Sequence, residues 1–304
     1  MQDTTQPHIV IAGGQGMIGS ACAALLRTQG YRVLTLTRKA LDDPDSIQWA
    51  PADRWIEHNV IDGCAAVINV TGISIAGSRW TPAYKQKLQD SRTVPAAFLA
   101  SLIRDAAQPP PVYIGASGVG IYGNTGPGAV REDHVSNDDG FLRRLAHDWE
   151  SAHLALDRLT RVVVLRIGVV LSNEGGFMER LGPPARFGLY PVFGHGDQIM
   201  SWIHIEDLTR VFHTVMTSSS VLGPLNAVAP HALSFRAFAR HYRAANTGYG
   251  LIFRIPRWVA RLVFGEMSDV LLESTHASAQ TLIEHGFSFK YPDARGALHA
   301  LLGR

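Results

Sequence analysis

The chain has 304 residues, 46% of them hydrophobic and 18% charged, and a formal net charge of +2. That length calls for one large domain or two intimately joined ones; the composition excludes a disordered or fibrous chain, and the small charge, with no Lys/Arg cluster, argues against a nucleic-acid partner. Two cysteines, Cys22 and Cys64, exclude a disulfide framework, no apolar run approaches a membrane span, and segment 1–7 is polar, unlike a signal peptide, so a reduced, cytoplasmic protein without a membrane partner is expected.

The first apolar run, Ile9-Val10-Ile11-Ala12, ends in the closely spaced Gly13, Gly14, Gly16 and Gly19. From Met17 to Leu26 apolar residues then recur at helical spacing. This reads as a strand, a tight turn and a helix N-terminus. Gly13 permits the turn, Gly16 leaves a pyrophosphate room to reach the helix's free N–H groups, and Gly19 lets the helix lie close on the strand. A second strand at 31–37, after the break at Gly30, completes the context a dinucleotide site requires. Sites for NAD usually carry Asp or Glu where that strand ends. Here the position reads Thr37-Arg38-Lys39, with no carboxylate before Asp42. A guanidinium fork suits a 2′-phosphate, so NADP(H) is the predicted cofactor.

A Pro/Asp-rich loop at 42–45 leads to a short apolar piece at 47–49 and a strand at 65–70, ending in Thr71-Gly72. Thr81 as N-cap and Pro82 open a helix to residue 107. Pro109-Pro110-Pro111 stops it, and 112–114 is the next strand. A helix from about residue 138 to 159 precedes a β-branched strand at 161–167. Strands alternating with helices through Leu171 imply parallel βαβ units in a doubly wound α/β sheet. From 175 to 196 closely spaced glycines and the Gly182-Pro183-Pro184 run read as irregular chain. Helical patterns return at 205–217, 234–245, 256–264, 277–286 and 292–302. The predicted organisation is a dinucleotide-binding domain at 1–174, completed by about 205–229. Segments 175–204 and 230–304 form a smaller, mostly helical C-terminal lobe over the carboxyl edge of the sheet, where it supplies substrate contacts.

Several stretches together resemble one family. The glycine turn, Asn69-Val70-Thr71-Gly72, Ser78-Arg79-Trp80-Thr81, Ser91-Arg92, Ser117 with Tyr122-Gly123, and Trp149-Glu150 are shared features. So are Leu165-Arg166-Ile167-Gly168-Val169-Val170-Leu171, the segment 201–208 around Trp202-Ile203-His204, and Gly286-Phe287-Ser288-Phe289. The chain is similar to extended short-chain dehydrogenases/reductases. It resembles most their atypical "epimerase family" branch, nucleoside-diphosphate-sugar epimerase-like proteins that lack the Tyr-x-x-x-Lys pair. The resemblance implies a Rossmann domain binding NADP(H), a small C-terminal lobe and no metal. It places Gly13, Gly16, Met17, Ile18 and Gly19 at the pyrophosphate, and Thr37 and Arg38 at the adenosine phosphate. It puts Val70 and Thr71 on the ribose and adenine side, Arg92 reaching toward the cofactor, and Val170 beside the nicotinamide. Core packing is an equal reading of Val70 and Val170.

In active members of the superfamily a tyrosine exchanges a proton with the substrate and a lysine holds the ribose and lowers the tyrosine pKa. At those positions this chain has Phe141 and Leu145, and neither titrates. Ser117, as a hydrogen-bond donor, and Tyr122, as the nearest phenol, are the candidate catalytic residues. Their alternatives are a turn-forming serine and a packing tyrosine. Arg143 and Arg144 are weighed as a replacement for the lysine charge against two solvated helix residues. Arg166 is a candidate clamp for an anionic substrate group, or else half of an internal ion pair. His204 is a candidate substrate residue, or else a loop-fixing hydrogen bonder. The histidines show no metal-ligand spacing, and no G-x-S-x-G elbow occurs. The predicted function is an NADP(H)-binding oxidoreductase or epimerase-like protein acting on a small polar substrate, such as a nucleotide sugar. The alternative is a non-catalytic NADPH-binding or sensing protein.

Overall fold

Ile9, Val10, Ile11 and Ala12 sit at the centre of a sheet with every side chain buried, and alternate residues serve opposite faces. The computed structural model describes residues 8–137 and 139–303; segment 1–7 and Asp138, the predicted start of a helix, lie outside the described residues. In chain order the elements are β1 (His8–Ala12), α1 (Met17–Thr28), β2 (Arg32–Thr37), β3 (Ser46–Ala50), β4 (Trp55–Ile56) and β5 (Ala66–Asn69). Then come α2 (Pro82–Asp105), β6 (Val112–Gly118), α3 (Phe141–Leu154), β7 (Arg161–Ile167), β8 (Val169–Leu171) and α4 (Gly176–Arg186). They are followed by β9 (Leu189–Phe193), β10 (Ile199–Met200), β11 (Trp202–His204), α5 (Ile205–Thr217), β12 (Gly223–Ala227) and β13 (Leu233–Ser234). The chain continues through α6 (Phe235–Asn246), β14 (Leu251–Ile255), α7 (Arg257–Phe264), α8 (Asp269–Leu272), α9 (Gln280–Glu284) and α10 (Ala294–Leu302).

An eight-stranded sheet runs in the order β12-β7-β6-β5-β1-β2-β3-β4, parallel except for the short antiparallel edge strand β4. This is the doubly wound Rossmann-type α/β sheet predicted from the alternation of elements. Ile9 and Ile11 pack with Cys22 and Leu26 of α1 and with Leu208, Val211 and Phe212 of α5. Val10 and Ala12 face the other way, against Phe98, Leu99 and Ile103 of α2. The strand order reverses between β1 and β5, so their carboxyl ends open a crevice in which such folds hold ligands.

A second apolar core gathers Met178 and Leu181 of α4, Tyr190 of β9, Phe238 and Tyr242 of α6, and Leu298 of α10. Chain predicted to be irregular thus holds a helix. Met178, Leu181 and Ala185 sit at helical spacing and are buried, and α4 runs through Pro183 and Pro184 because that face packs. Three boundaries also differ from prediction. β6 extends to Gly118, α3 stops at Leu154, and the helix expected at 277–286 shrinks to α9. Among the described residues no helix is long and apolar enough to cross a membrane.

Candidate functional site

The glycine turn between β1 and α1 is a cradle of backbone. Gly13 has φ +88°, and a Cβ there would lie 2.9 Å from the Val70 carbonyl. A Cβ on Gly14 would strike the Thr35 side chain at 2.6 Å, and one on Gly19 would meet the Gly13 oxygen at 2.2 Å. These three glycines are therefore needed by the fold itself. Gly16 differs, because its nearest neighbour would be the Gly13 oxygen at 3.4 Å. Helix α1 starts at Gly16 with no acid in its first turn and, like α3, α4, α7, α8 and α9, with no side-chain cap. Among the described residues the first N–H groups of α1 thus meet no side-chain acceptor, and a phosphate fits there. A Cβ on Gly175 or Gly176, at the start of α4, would lie 3.9 or 3.3 Å from the Met17 side chain, so this turn borders Met17 and the start of α1.

Apart from Arg92 of α2, the remaining predicted cofactor residues sit at or just past the ends of β2 and β5, at the start of α1 and in β8. Thr37 is buried at the end of β2, and its hydroxyl donates to the Lys39 carbonyl at 2.6 Å. Arg38 follows it, exposed. Thr71 donates through its N–H and its hydroxyl to Asn69 Oδ1, at 3.1 and 2.7 Å, which fixes the loop after β5. Ile18 packs against the core beneath the turn, as does Val70. Val170 is buried in β8 beside Ile203 of β11, so core packing is its observed part.

Beyond this crevice a cavity of about 350 Å³ opens at the carboxyl ends of β6 and β7. Phe141, Leu145 and Trp149, one helical turn apart on α3, form one wall. Phe141 and Leu145 cluster with Trp80, whose ring meets Phe141 edge-on at 5.2 Å. The face that carries Tyr and Lys in active relatives is thus apolar here. Arg92 enters the cavity from α2. It donates to the carbonyls of Leu88 (3.0 Å) and Ile73 (3.1 Å), and its guanidinium lies 5.0 Å over the Trp149 ring. Burial lowers its pKa to about 10, leaving it charged at neutral pH. Ser117 lies near the end of β6, next to the cavity-lining Gly118. Its Oγ is buried without a partner among the described residues, and so is Trp149 Nε1. Nothing in the sequence singled out Trp149 as a site residue, though its place four residues past Leu145 and eight past Phe141 was visible.

Three other candidates turn away from the cavity. The Tyr122 hydroxyl donates to Asn226 Oδ1 at 2.7 Å and accepts from Arg166 Nη1 at 2.8 Å. Arg166 grips both oxygens of Glu150 at 2.9 Å and also donates to the Glu132 carbonyl. Burial depresses the guanidinium, the Glu150 carboxylate more than offsets this, and the net shift is upward. Burial pushes the Tyr122 phenol up to about 12, against the pull of Arg166. Arg166 thus forms the internal ion pair, and the Tyr122 oxygen is engaged on both sides. His204 accepts the Glu206 N–H at 3.1 Å through Nδ1, capping α5, and its ring lies tilted against that of Tyr291, centroids 3.9 Å apart. Arg144 donates to the Asp139 carbonyl on the exposed side of α3, while Arg143 stands half-buried at the cavity rim.

Comparison with known proteins agrees with this geometry. A model of the NAD dependent epimerase/dehydratase family matches residues 9–224, and a domain of unknown function, DUF1731, matches residues 255–301. An epimerase family protein of Mycobacterium leprae is 35% identical over 293 residues, covering 95% of this chain and 94% of that protein. The crystal structure of human epimerase family protein SDR39U1 with NADPH superposes with a TM-score of 0.88 at 31% identity, over 97% of this chain and 99% of that one. A nucleoside-diphosphate sugar epimerase from Corynebacterium glutamicum superposes with a TM-score of 0.79 at 29% identity, over 98% of this chain and 59% of that one.

Proposed function

The chain belongs to the NAD-dependent epimerase/dehydratase family, and from that premise we propose that it is an NADP(H)-binding oxidoreductase or epimerase-like protein. The observation that carries this reading is the cradle at Gly16, an uncapped helix start with room for a phosphate, beside an exposed Arg38 where an NAD site would place an acid. The relative crystallised with NADPH supports the same choice. Gly13, Gly16, Met17, Ile18 and Gly19 would hold the pyrophosphate. Thr37 and Arg38 would take the adenosine 2′-phosphate, with Val70 and Thr71 on the ribose side. Bound there, NADPH would supply hydride-transfer chemistry. The protein's part is to bind, to exclude water with the apolar α3 face, and to orient the oxygen by the orphaned Ser117 hydroxyl. With Phe141 and Leu145 in place of a titrating pair, turnover would be slow, since a positioned acid/base contributes about 10²–10⁴-fold. That same substitution favours a second reading, a protein that binds NADPH without turnover.

Titration of NADPH and NADH against wild type and Arg38→Ala tests the cofactor assignment. NADPH is expected to bind roughly tenfold or more tightly than NADH, and Arg38→Ala to weaken NADPH alone by about that factor, as for one charge-assisted phosphate contact. Equal dissociation constants for the two dinucleotides would sink the assignment. Reduction of a carbonyl panel by the NADPH complex, lost in Ser117→Ala, separates the enzyme from the silent binder.

A further inference from the structure

The sequence leads one to expect a small polar substrate, but the cavity is built for something else. Its walls are Phe141, Leu145, Trp149, Phe177, Phe235 and Leu271. The uncharged polar side chains among them are already engaged. Ser201 donates to the Thr275 carbonyl and accepts the Ala277 N–H, both at 2.8 Å. The Thr275 hydroxyl donates to the Gly123 carbonyl at 3.1 Å. The Gln198 amide donates to the carbonyls of Phe193 and Leu271 at 3.0 and 2.6 Å. Sugar hydroxyls would find few partners there, and each one left unpaired costs about 1–3 kcal/mol.

Charge argues the same way. The carboxyl-bearing residues Glu266, Asp269 and Glu273 line the cavity together, against Arg92 and the half-buried Arg143. Glu266 is tied to Lys85, so that lysine is not free to meet a phosphate. With Glu266 paired to Lys85, Asp269 and Glu273 balance Arg92 and Arg143, so the lining offers a diphosphate no net positive charge. At about 350 Å³ the cavity sits within the roughly 300–1,000 Å³ range of ligand pockets.

One polar group on the walls has nothing to bond among the described residues. Trp149 Nε1 is a buried donor with no partner among the described residues, on a residue that lines the cavity and carries Arg92 over its indole ring. A buried donor of this kind on a cavity wall is where a ligand acceptor belongs.

We propose that the cavity takes a neutral, flat, largely apolar carbonyl compound of about two fused rings, its oxygen accepting from Trp149 Nε1, and not a nucleotide sugar. This deepens the oxidoreductase reading and rests on it for the chemistry, while binding itself can be tested apart from the cofactor.

The probe is 2-acetylnaphthalene, with 2-ethylnaphthalene as the same shape without an acceptor and UDP-glucose as the polar rival. Each is titrated calorimetrically into the full chain, with and without saturating NADPH. The ketone is expected to bind and UDP-glucose not to displace it. Trp149→Phe keeps the aromatic bulk and removes the N–H. It should weaken the ketone roughly fivefold and leave the hydrocarbon within about twofold. Phe177→Asp should weaken both naphthalenes at least about tenfold, with thermal melting used to confirm that this variant is folded. UDP-glucose binding more tightly than the ketone, neither naphthalene binding, or Trp149→Phe weakening both naphthalenes equally would each overturn the proposal. Ketone binding by a protein that takes up no NADPH would support the cavity assignment and overturn the cofactor reading alone.

Discussion

Two glycines three residues apart carry different burdens, and substitution can tell them apart. A methyl on Gly19 would stand 2.2 Å from the Gly13 oxygen, against backbone that cannot swing away, so α1 must lift off β1. Gly19→Ala is expected to lose about 1–3 kcal/mol of stability by overpacking, and NADPH binding with it. Gly16 has φ −84°, and a Cβ there would meet nothing closer than 3.4 Å, so Gly16→Ala should stay within about 1 kcal/mol of wild type in urea unfolding. Its methyl would stand where a phosphate approaches, however, and NADPH affinity should fall at least about tenfold. Wild-type NADPH affinity in Gly16→Ala would show that no phosphate passes there. The glycine turn was legible because its demand is on the backbone, and only glycine meets it. The extra Gly14 was not, since its reason is the Thr35 side chain on the neighbouring strand.

Helix α3 keeps a regular spacing while carrying apolar residues where active members of the superfamily are expected to carry a titrating pair. Phe141, Leu145, Trp149 and His153 follow one another at helical spacing, and the last of them holds a buried relay together. Asn69 donates to the Tyr113 hydroxyl at 3.0 Å, that hydroxyl meets His153 Nδ1 at 2.8 Å, and His153 Nε2 reaches the Ala116 carbonyl at 3.1 Å. A Cβ on Gly115 would lie 2.5 Å from the His153 ring, so a glycine in β6 makes room for it. Burial lowers the His153 pKa to about 4, although the bond to Ala116 opposes this. An unfolded histidine titrates near 6.5, so the unfolded chain takes up the proton first as pH falls. The neutral form therefore contributes stability in full above about pH 6.5 and loses it as pH drops toward 4. Between pH 7.5 and 5 this one residue should remove roughly 2 kcal/mol, and His204, also held low mainly by burial, adds in the same direction. Urea unfolding of wild type and His153→Gln at the two pH values checks it. A variant as pH-sensitive as wild type would refute the assignment. The apolar spacing of α3 was readable from the chain, and so was that of Met178, Leu181 and Ala185. In α4 the Gly-Pro-Pro run outweighed the pattern, because the core that holds the helix is assembled from β9, α6 and α10 far along the chain.

At the scale of the molecule, one polar network joins the far edge of the sheet to the C-terminal segment. Arg166 on β7 binds Glu150 of α3, Tyr122 and the Glu132 carbonyl. Glu132 accepts the Asn226 N–H of β12 at 2.8 Å and the Thr281 hydroxyl of α9 at 2.7 Å, while Asn226 donates to the Ser278 carbonyl at 3.1 Å. Val130 pairs with Ala277, so backbone binds the same two segments. Each of these bonds joins residues far apart in sequence, which is why Tyr122 and Arg166 looked available for chemistry when read singly. A polar residue's type is local information, but its satisfaction is decided by the fold. The network's centre is the buried pair, with the Arg166 and Glu150 side chains 9% and 6% exposed. Breaking such a pair leaves a buried charge without its partner, which costs about 3–5 kcal/mol, whereas removing both charges is often nearly neutral. Glu150→Gln keeps the shape and one acceptor, so a loss near 3 kcal/mol is expected, lowering the melting temperature by roughly 5 °C for a chain of this size. Glu150→Leu combined with Arg166→Met should be less damaging than Glu150→Gln, which leaves the Arg166 charge without its partner. Differential scanning calorimetry of the single and double variants decides it. A Glu150→Gln protein melting within about 2 °C of wild type would mean that the backbone pairing, not the ion pair, fastens the C-terminal segment to the sheet.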